Sequence, residues 1–564
     1  MTPRFRLLEL AVYSLSFILI SLALVGGIIG YSPVPYWDMW DGTVNFILRF
    51  DDAPLDRMFE QHNEHRLVLA RGFFLIEYYV FDGSGIFLTV GNYLFVFVSW
   101  GIFARCLYQI NAPDSPPRDT HLLVAILGAW LFLWAQKVNF LWAFQSQFFL
   151  AQLLPLIAFL LLSKAAHQSR IWSLTFYAAI LVGMASALSM ANGVMALPLM
   201  AVWAIILRMT KIQIFVLALT AALTLWLYFM DYSQPSGHGA LTETIMTDPV
   251  GILIYTFRYL GNPGVHLAGS SDFIKAISTF GGVGLAVFAA GAAFQAVQKR
   301  PTEPAQAGLL LFIIYVGASA FVTAGGRLLL GMDTAVSSRY TTPTLMAWAA
   351  VFCIASPQIL RIYRFSDRAA LSLVSGAVVA LCLLMVSQVR ALGSKHELNH
   401  DKALAVLALE MGIGDSKPIS LIYPNIPHIL DVARHASDAD LGIFGRPRYR
   451  GVRESIGQPA ETPTTKTCSG RLERYEIIDN VADYVRIYGW QYDSTRKPNV
   501  ARIQLVDKQG IIVGAALFGR DSPEIKNAYG PAAAQTGFVG YLKTDALGQT
   551  LITQSDACHS KAQL

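Results

Sequence analysis

The chain reads as a polytopic α-helical membrane protein with about eleven spans, an extracytoplasmic α/β linker region and a C-terminal β-sandwich. Three observations predict this class. Apolar runs of the ~17–25 residues that a bilayer demands recur from the N-terminus to about residue 389. Only 14% of the 564 residues are charged, against about 25% in soluble domains, so much of the chain lacks the polar surface that water requires. Beyond about residue 466 the pattern changes to the period-two alternation of strands. The net charge of +5 does not argue for nucleic acid, because the cations sit in short loops where membrane orientation accounts for them.

The spans fall at roughly 8–30, 85–105, 120–136, 143–163, 171–190, 193–209, 212–230, 275–297, 307–325, 341–357 and 369–389. Arg4 and Arg6 precede the first. Arg105, Arg118, Lys164, Arg170, Arg208, Lys211, Lys299, Arg300, Arg361, Arg364 and Arg368 follow the even-numbered spans. Cations collect on the cytoplasmic side, so the N-terminus is expected inside, with the first loop and the tail outside. The first apolar run is long and lacks a small-x-small cleavage site, so it reads as a retained span rather than a signal peptide. This layout divides the chain into a membrane domain (1–390), a periplasmic linker region (391–465) and a periplasmic sandwich (466–564).

The loop at 31–84 is expected to hold two helical stretches, 38–50 and 64–81. The second has Leu67, Phe74 and Tyr78 at helical spacing, and it lies on the membrane rather than across it. A second external loop opens with the turn-rich 234–239 stretch and continues into an amphipathic segment at 250–260. In the tail, 402–411 reads as a helix and 419–423 as a short strand. Strands follow at 484–488, 501–506 and 511–514, with Asp507-Lys508-Gln509-Gly510 as the turn between the last two. Cys106, Cys353 and Cys382 belong to spans. Cys468 and Cys558 bracket the β-rich region, and an oxidising compartment permits a bridge between them, with two free thiols as the alternative.

The residues able to carry chemistry gather at the outer ends of the spans. Asp38 and Asp41, within Trp37-Asp38-Met39-Trp40-Asp41, share one face if helical. One can deprotonate a hydroxyl while the other orients it, or both can hold a divalent cation such as Mg or Mn. The plain alternative is two solvated acids capping a surface helix. In His62-Asn63-Glu64-His65-Arg66, Arg66 suits a lipid-linked phosphate, and Glu64 or His65 suits that phosphate or a sugar. The bland reading is a polar helix start, and His62-x-x-His65 alone is no metal signature. Arg327 and Arg339 are external cations beside spans, where a guanidinium can grip phosphate bidentately. Snorkelling is the alternative for both, and Tyr340 is a lesser candidate beside them. Asn139, Gln145 and Gln147 lie among Trp142, Phe144 and Phe148, a mixture that suits a sugar, with interhelical hydrogen bonding as the plainer reading. Asn192, before the turn residue Gly193, is a weaker sugar contact. Trp490 and Tyr492 read as core aromatics of the sandwich or as a stacking surface.

The ordered set of Trp37-Asp38-Met39-Trp40-Asp41, Asn63-Glu64-His65-Arg66, Phe144-Gln145-Ser146-Gln147-Phe148 and Ser338-Arg339-Tyr340 ahead of a late span resembles the bacterial GT-C-fold glycosyltransferases over roughly residues 1–390. The layout with a C-terminal β-domain is similar to that of arabinofuranosyltransferases. The resemblance implies an inner-membrane enzyme. It would move a sugar from a polyprenyl-phosphate carrier to a glycan or protein acceptor, for example lipopolysaccharide or a pilin, on the outer face. It implies Asp38 or Asp41 as base, and Arg327, Arg339 and Arg66 on the donor phosphate. The Trp37–Asp41 motif holds neither a strict Asp-x-Asp nor an Asp-Asp pair, which leaves metal dependence open. A polysaccharide polymerase or ligase is a close competitor. A glycan or lipid transporter would call for ionisable residues in mid-span and an internal repeat, and a non-catalytic assembly factor would have no use for Asp38, Arg327 and Arg339 together.

Overall fold

The computed structural model describes all residues except 1–2, 113–116, 169, 234–238, 240, 302, 462–465, 494–501, 556–557 and 564. Most of the expected 234–239 turn therefore lies outside the described residues. The chain forms two compact units. The first comprises Met1–Tyr31, Met58–Phe73 and Leu88–Gly393, and the second Ser32–Arg57, Phe74–Phe87 and Ser394–Leu564.

Among the described residues, nine helices of the chain are long and apolar enough to cross a membrane: Arg6–Gly30, Ile86–Asn111, Arg118–Leu141, Ala143–Ala165, Lys211–Phe229, Asp272–Gln298, Pro304–Leu330, Ser338–Phe365 and Asp367–Leu392. The fifth and sixth expected spans correspond to two shorter apolar helices, Leu174–Ala187 and Ala191–Ile206. The break between these two is tight. Gly193 sits so close to the Ser186 carbonyl that a Cβ would lie 1.9 Å from its oxygen, so glycine is required there for backbone approach.

Ala143–Ala165 and Pro304–Leu330 form the centre of this unit and are largely enclosed by other helices. By contrast, Asp272–Gln298 leaves Phe273, Phe280, Val287 and Phe294 each at least 65% exposed. A helix that is apolar all round and bare on the outside suits lipid, not water. Buried amides tie the helices together. The Gln388 side chain donates to the carbonyls of Leu19 (2.7 Å) and Phe132 (3.1 Å) and accepts from the Trp134 N–H (2.8 Å). Asn111 donates to the Ser356 hydroxyl at 2.7 Å. In an apolar interior such bonds satisfy groups that lipid cannot.

A two-residue hairpin, β1 (Gln61–His62) and β2 (His65–Arg66), precedes the helix Val68–Phe81. Asn63 takes φ 49° in the turn, a left-handed conformation that asparagine tolerates. Leu67, Phe74 and Tyr78 are buried, as their spacing predicts.

In the second unit, the expected helix at 38–50 is a π-helical turn, Trp40–Asn45, followed by Phe46–Leu48. The tail begins with helices His396–Glu410, Ser416–Ile419, Ile426–Asp438 and Val452–Ser455. The strand expected at 419–423 is not formed. Asp415 caps a helical turn by accepting the Lys417 N–H, and Ile419 and Ile422 are both fully buried at helical spacing. In so short an apolar run the two periods are hard to tell apart.

The remainder is one seven-stranded antiparallel sheet: β3 (Ser469–Ile478), β4 (Val481–Tyr492), β5 (Ile503–Val506), β6 (Ile512–Arg520), β7 (Gly537–Lys543), β8 (Thr550–Gln554) and β9 (His559–Gln563), in the order β3-β4-β7-β6-β5-β8-β9. This corrects the expected two-sheet sandwich. Thr467 bridges His559 in parallel, and Cys468 and Cys558 are joined by a disulfide with their Cα atoms 5.7 Å apart. The two edges of the sheet are thereby tied, and its inner face wraps a core that includes Leu472, Ile487, Leu505, Phe538 and Leu542. In–out alternation is the same in a sandwich and in a sheet rolled on itself, so periodicity alone cannot separate them. The Asp507–Gly510 turn forms as expected, with the Asp507 carboxylate accepting the Gln509 and Ile511 N–H groups at 2.9 and 2.8 Å.

Candidate functional site

In the first unit the β1–β2 hairpin holds Glu64 and His65 against a basic cluster. Arg327, in the last turn of its helix, donates to Glu64 Oε1 at 2.7 Å. His65 Nε2 lies 3.7 Å from the same oxygen, and its Nδ1 accepts the Ala191 N–H at 3.3 Å. The proton of the neutral ring is therefore on Nε2, facing the carboxylate. Burial alone would raise the Glu64 carboxyl. Its cationic surroundings, with Arg327 bonded directly to it, overcome that and hold the group down at about 2. For His65, burial dominates, the charges of Arg327 and Arg339 and the neighbouring His62 ring add to it, and the ring is pushed down to about 4 despite Glu64. The imidazole is thus neutral at pH 7.

Arg339 is braced from several sides. Its Nε donates to the Ser337 hydroxyl at 3.2 Å, and its guanidinium carbon lies 5.7 Å from the Tyr340 ring centre. Tyr340 packs on Tyr259 with ring centres 4.6 Å apart. The backbone of the same segment is clamped by Asn262, which donates to the carbonyls of Ala335 and Ser337, and by His266 on the Val336 carbonyl. Asn139 donates to the Arg339 carbonyl (2.9 Å) and to the Thr342 hydroxyl (2.6 Å). Sequence inspection missed Tyr259, Asn262 and His266, whose contribution is to hold backbone in place. The remaining guanidinium N–H groups of Arg327 and Arg339 have no protein partner among the described residues.

Other expected contacts behave differently. Arg66 donates from all three guanidinium nitrogens to carbonyls: Nε to Tyr228 (2.8 Å), one terminal nitrogen to Phe59 (2.5 Å) and the other to Met230. It is a brace between the hairpin and the helix Lys211–Phe229, with three of its five N–H groups spent on backbone carbonyls. Gln145 is fully buried, and neither end of its amide has a partner among the described residues. The same holds for Gln147 Oε1. Buried amides are nearly always satisfied, so this pair marks a place for water or a polar ligand. Asn192 is half-buried and follows Ala191, the residue that bonds His65.

Asp38 and Asp41 belong to the second unit. The Trp37 N–H donates to the Ile422 carbonyl at 2.8 Å, which fastens the loop to the tail. Asp41 then accepts from the Tyr423 hydroxyl (2.7 Å, Oδ2) and from His428 Nε2 (2.7 Å, Oδ1). Burial and the neighbouring Asp41 and Asp38 carboxylates raise the Tyr423 phenol well above its ordinary value, so it stays a donor. This donor set does not favour the Mg or Mn ion that the motif left open. Both Asp41 oxygens already accept N–H or O–H hydrogens, and among the described residues no three His, Cys, Asp or Glu side chains are grouped to hold a metal.

The depressed His65 value gives a pH prediction. Between pH 6.5 and about 4 the unfolded chain binds a proton that the folded unit excludes. Stability is therefore full above pH 6.5 and falls as the pH drops toward 4, by on the order of 3 kcal/mol in total. His65→Gln should flatten that slope. Thermal melting in detergent at pH 7 and pH 4.5 measures it, and an unchanged slope in the variant would refute the assignment.

A scan against protein-family models and a search of curated proteins both return no match for this chain.

Proposed function

We propose that the chain is an inner-membrane glycosyltransferase that moves a sugar from a polyprenyl-phosphate carrier to a surface glycan or protein acceptor. The observation that carries the reading is the Arg327–Arg339 cluster, two braced guanidiniums with unengaged N–H donors at the ends of apolar helices. A lipid-linked phosphate is an anion that arrives within the bilayer, and fork-shaped cations at that depth suit it. The unpartnered Gln145 amide and Gln147 Oε1 offer polar contacts to a sugar.

In this reading the N-terminus is cytoplasmic. The nine long helices and the two shorter ones give eleven crossings, and the tail is periplasmic. The Cys468–Cys558 disulfide supports an oxidising compartment for that tail. The first-loop carboxylate site, Asp38 with Asp41, serves the acceptor. It promotes loss of the acceptor hydroxyl proton, the oxygen attacks the anomeric carbon, and the carbon–oxygen bond to phosphate breaks with its electron pair on phosphate. Within the first unit, Arg327 and Arg339 suit the negative charge of a departing phosphate. A single displacement inverts the anomeric configuration. Arg66 holds the hairpin through its backbone bonds.

The test is transfer of radiolabelled sugar from polyprenyl-phosphate donors in membranes carrying wild type, Asp38→Asn or Asp41→Asn. We expect transfer by the wild type and loss in at least one folded variant. Wild-type membranes that transfer no more label than vector controls, across a panel of donors, would refute the reading.

A further inference from the structure

We propose that His428 is the residue that takes the acceptor proton, with Asp41 and Tyr423 as its positioning residues. This rests on the glycosyltransferase reading and names the base within it.

The geometry is that of an imidazole oriented by a carboxylate. Asp41 is an acceptor only, so the 2.7 Å contact to His428 Nε2 requires the ring proton to be on Nε2. The lone pair then lies on Nδ1. Nδ1 has no partner among the described residues, and the side chain is 38% exposed, so an acceptor hydroxyl can reach it. The second Asp41 oxygen is held by Tyr423 at 2.7 Å, and the phenol ring packs 5.7 Å from the imidazole. The carboxylate is thus fixed at both ends and presents one oxygen to the histidine.

His428 is itself set by local structure. It lies in the first turn of Ile426–Asp438, where the Asn425 side chain accepts the His428 N–H at 3.2 Å and Pro427 starts the helix. Asp41 is a poorer candidate for direct base, since both of its oxygens are occupied. The charged and titratable groups facing the imidazole are Asp41 and Tyr423, with Asp38 bearing on Tyr423.

In the proposed step the acceptor O–H bond breaks and its proton goes to Nδ1. The oxygen forms the new bond to the anomeric carbon, and the phosphate leaves with the electron pair of the broken bond. The imidazolium then returns its proton to water.

The decisive variant is His428→Gln. A glutamine amide can reproduce the Nε2 donor to Asp41 but has no base at the Nδ1 position. Transfer should fall by about a hundred- to ten-thousandfold, and the acid limb of the pH–rate profile should vanish. Asp41→Asn should keep that limb at a reduced rate. His428→Gly should regain transfer when free imidazole is added. Intact fold is checked by thermal melting and by the Cys468–Cys558 bridge on non-reducing gels. A His428→Gln enzyme within threefold of wild type, with its acid limb intact, would overturn the inference and return the base to an aspartate, leaving the glycosyltransferase reading in place. Absence of transfer in the wild type would overturn both.

Discussion

Arg327→Gln should lower sugar transfer by about a hundred- to a thousandfold, the loss seen when one preorganised charge donor is removed from a developing anion. Arg327 is fixed by Glu64 at 2.7 Å and keeps other N–H groups unengaged, so it can meet phosphate without reorganising. Arg327→Lys keeps the charge but loses the fork, and should recover only part of the activity. The single Gln variant also removes the guanidinium bonded to the largely buried Glu64, at a cost of about 1–3 kcal/mol. The double variant Glu64→Gln, Arg327→Gln removes that cost. Stability should therefore return in the double variant while transfer stays low. Rates over a range of donor concentrations, measured beside melting curves in detergent, separate the two effects. If the double variant regains wild-type transfer, Arg327 serves only to neutralise Glu64.

Which parts of this arrangement can be read from the chain depends on how local the signal is. Long spans are legible because each carries its own apolar run, and Arg327 and Arg339 stand out as guanidiniums at the ends of apolar helices. Arg66 shows the limit. As a residue type it looks like a phosphate ligand, yet three of its five N–H groups go to the carbonyls of Phe59, Tyr228 and Met230, and a backbone partner leaves no mark in a sequence. Asn139 likewise spends its amide on the Arg339 backbone and on Thr342. The first-loop motif pointed to Asp41, but not to Tyr423 and His428, which lie 382 and 387 residues further on. Neither sits in a motif, since the chemistry comes from a tertiary contact. The β-domain was legible as strands from alternation, whereas the single rolled sheet depends on strand order and on the Thr467–His559 closure, which alternation does not encode.

Asp415→Asn should destabilise the second unit by about 3–5 kcal/mol, which for a unit of this size is a fall of roughly 10 °C in melting temperature. Asp415 is 1% exposed and Arg486 5%. They meet through two parallel bonds, Nε to Oδ2 at 2.8 Å and a terminal nitrogen to Oδ1 at 2.5 Å, while the Tyr541 hydroxyl donates to Oδ2 at 2.8 Å. The third guanidinium nitrogen donates to Glu476 at 2.8 Å. Asparagine has the shape of aspartate but turns an NH2 toward the guanidinium, so a buried cation loses one of its two carboxylate partners and keeps only Glu476. Replacing both partners, Asp415→Leu with Arg486→Met, leaves no buried charge and should recover much of the loss, which is how a desolvated ion pair differs from a simple attraction. The pair also has a positional role. Asp415 caps Ser416–Ile419, the turn that leads into Tyr423 and His428, while Arg486 anchors that turn to β4. At a temperature where the Asn variant is still folded, transfer should therefore fall as well, through a loosened Asp41–His428 contact. The apolar pair, if it regains stability without regaining transfer, would show that the ion pair is retained for placement of that turn. Destabilisation below 1 kcal/mol in Asp415→Asn would mean that water already reaches Arg486.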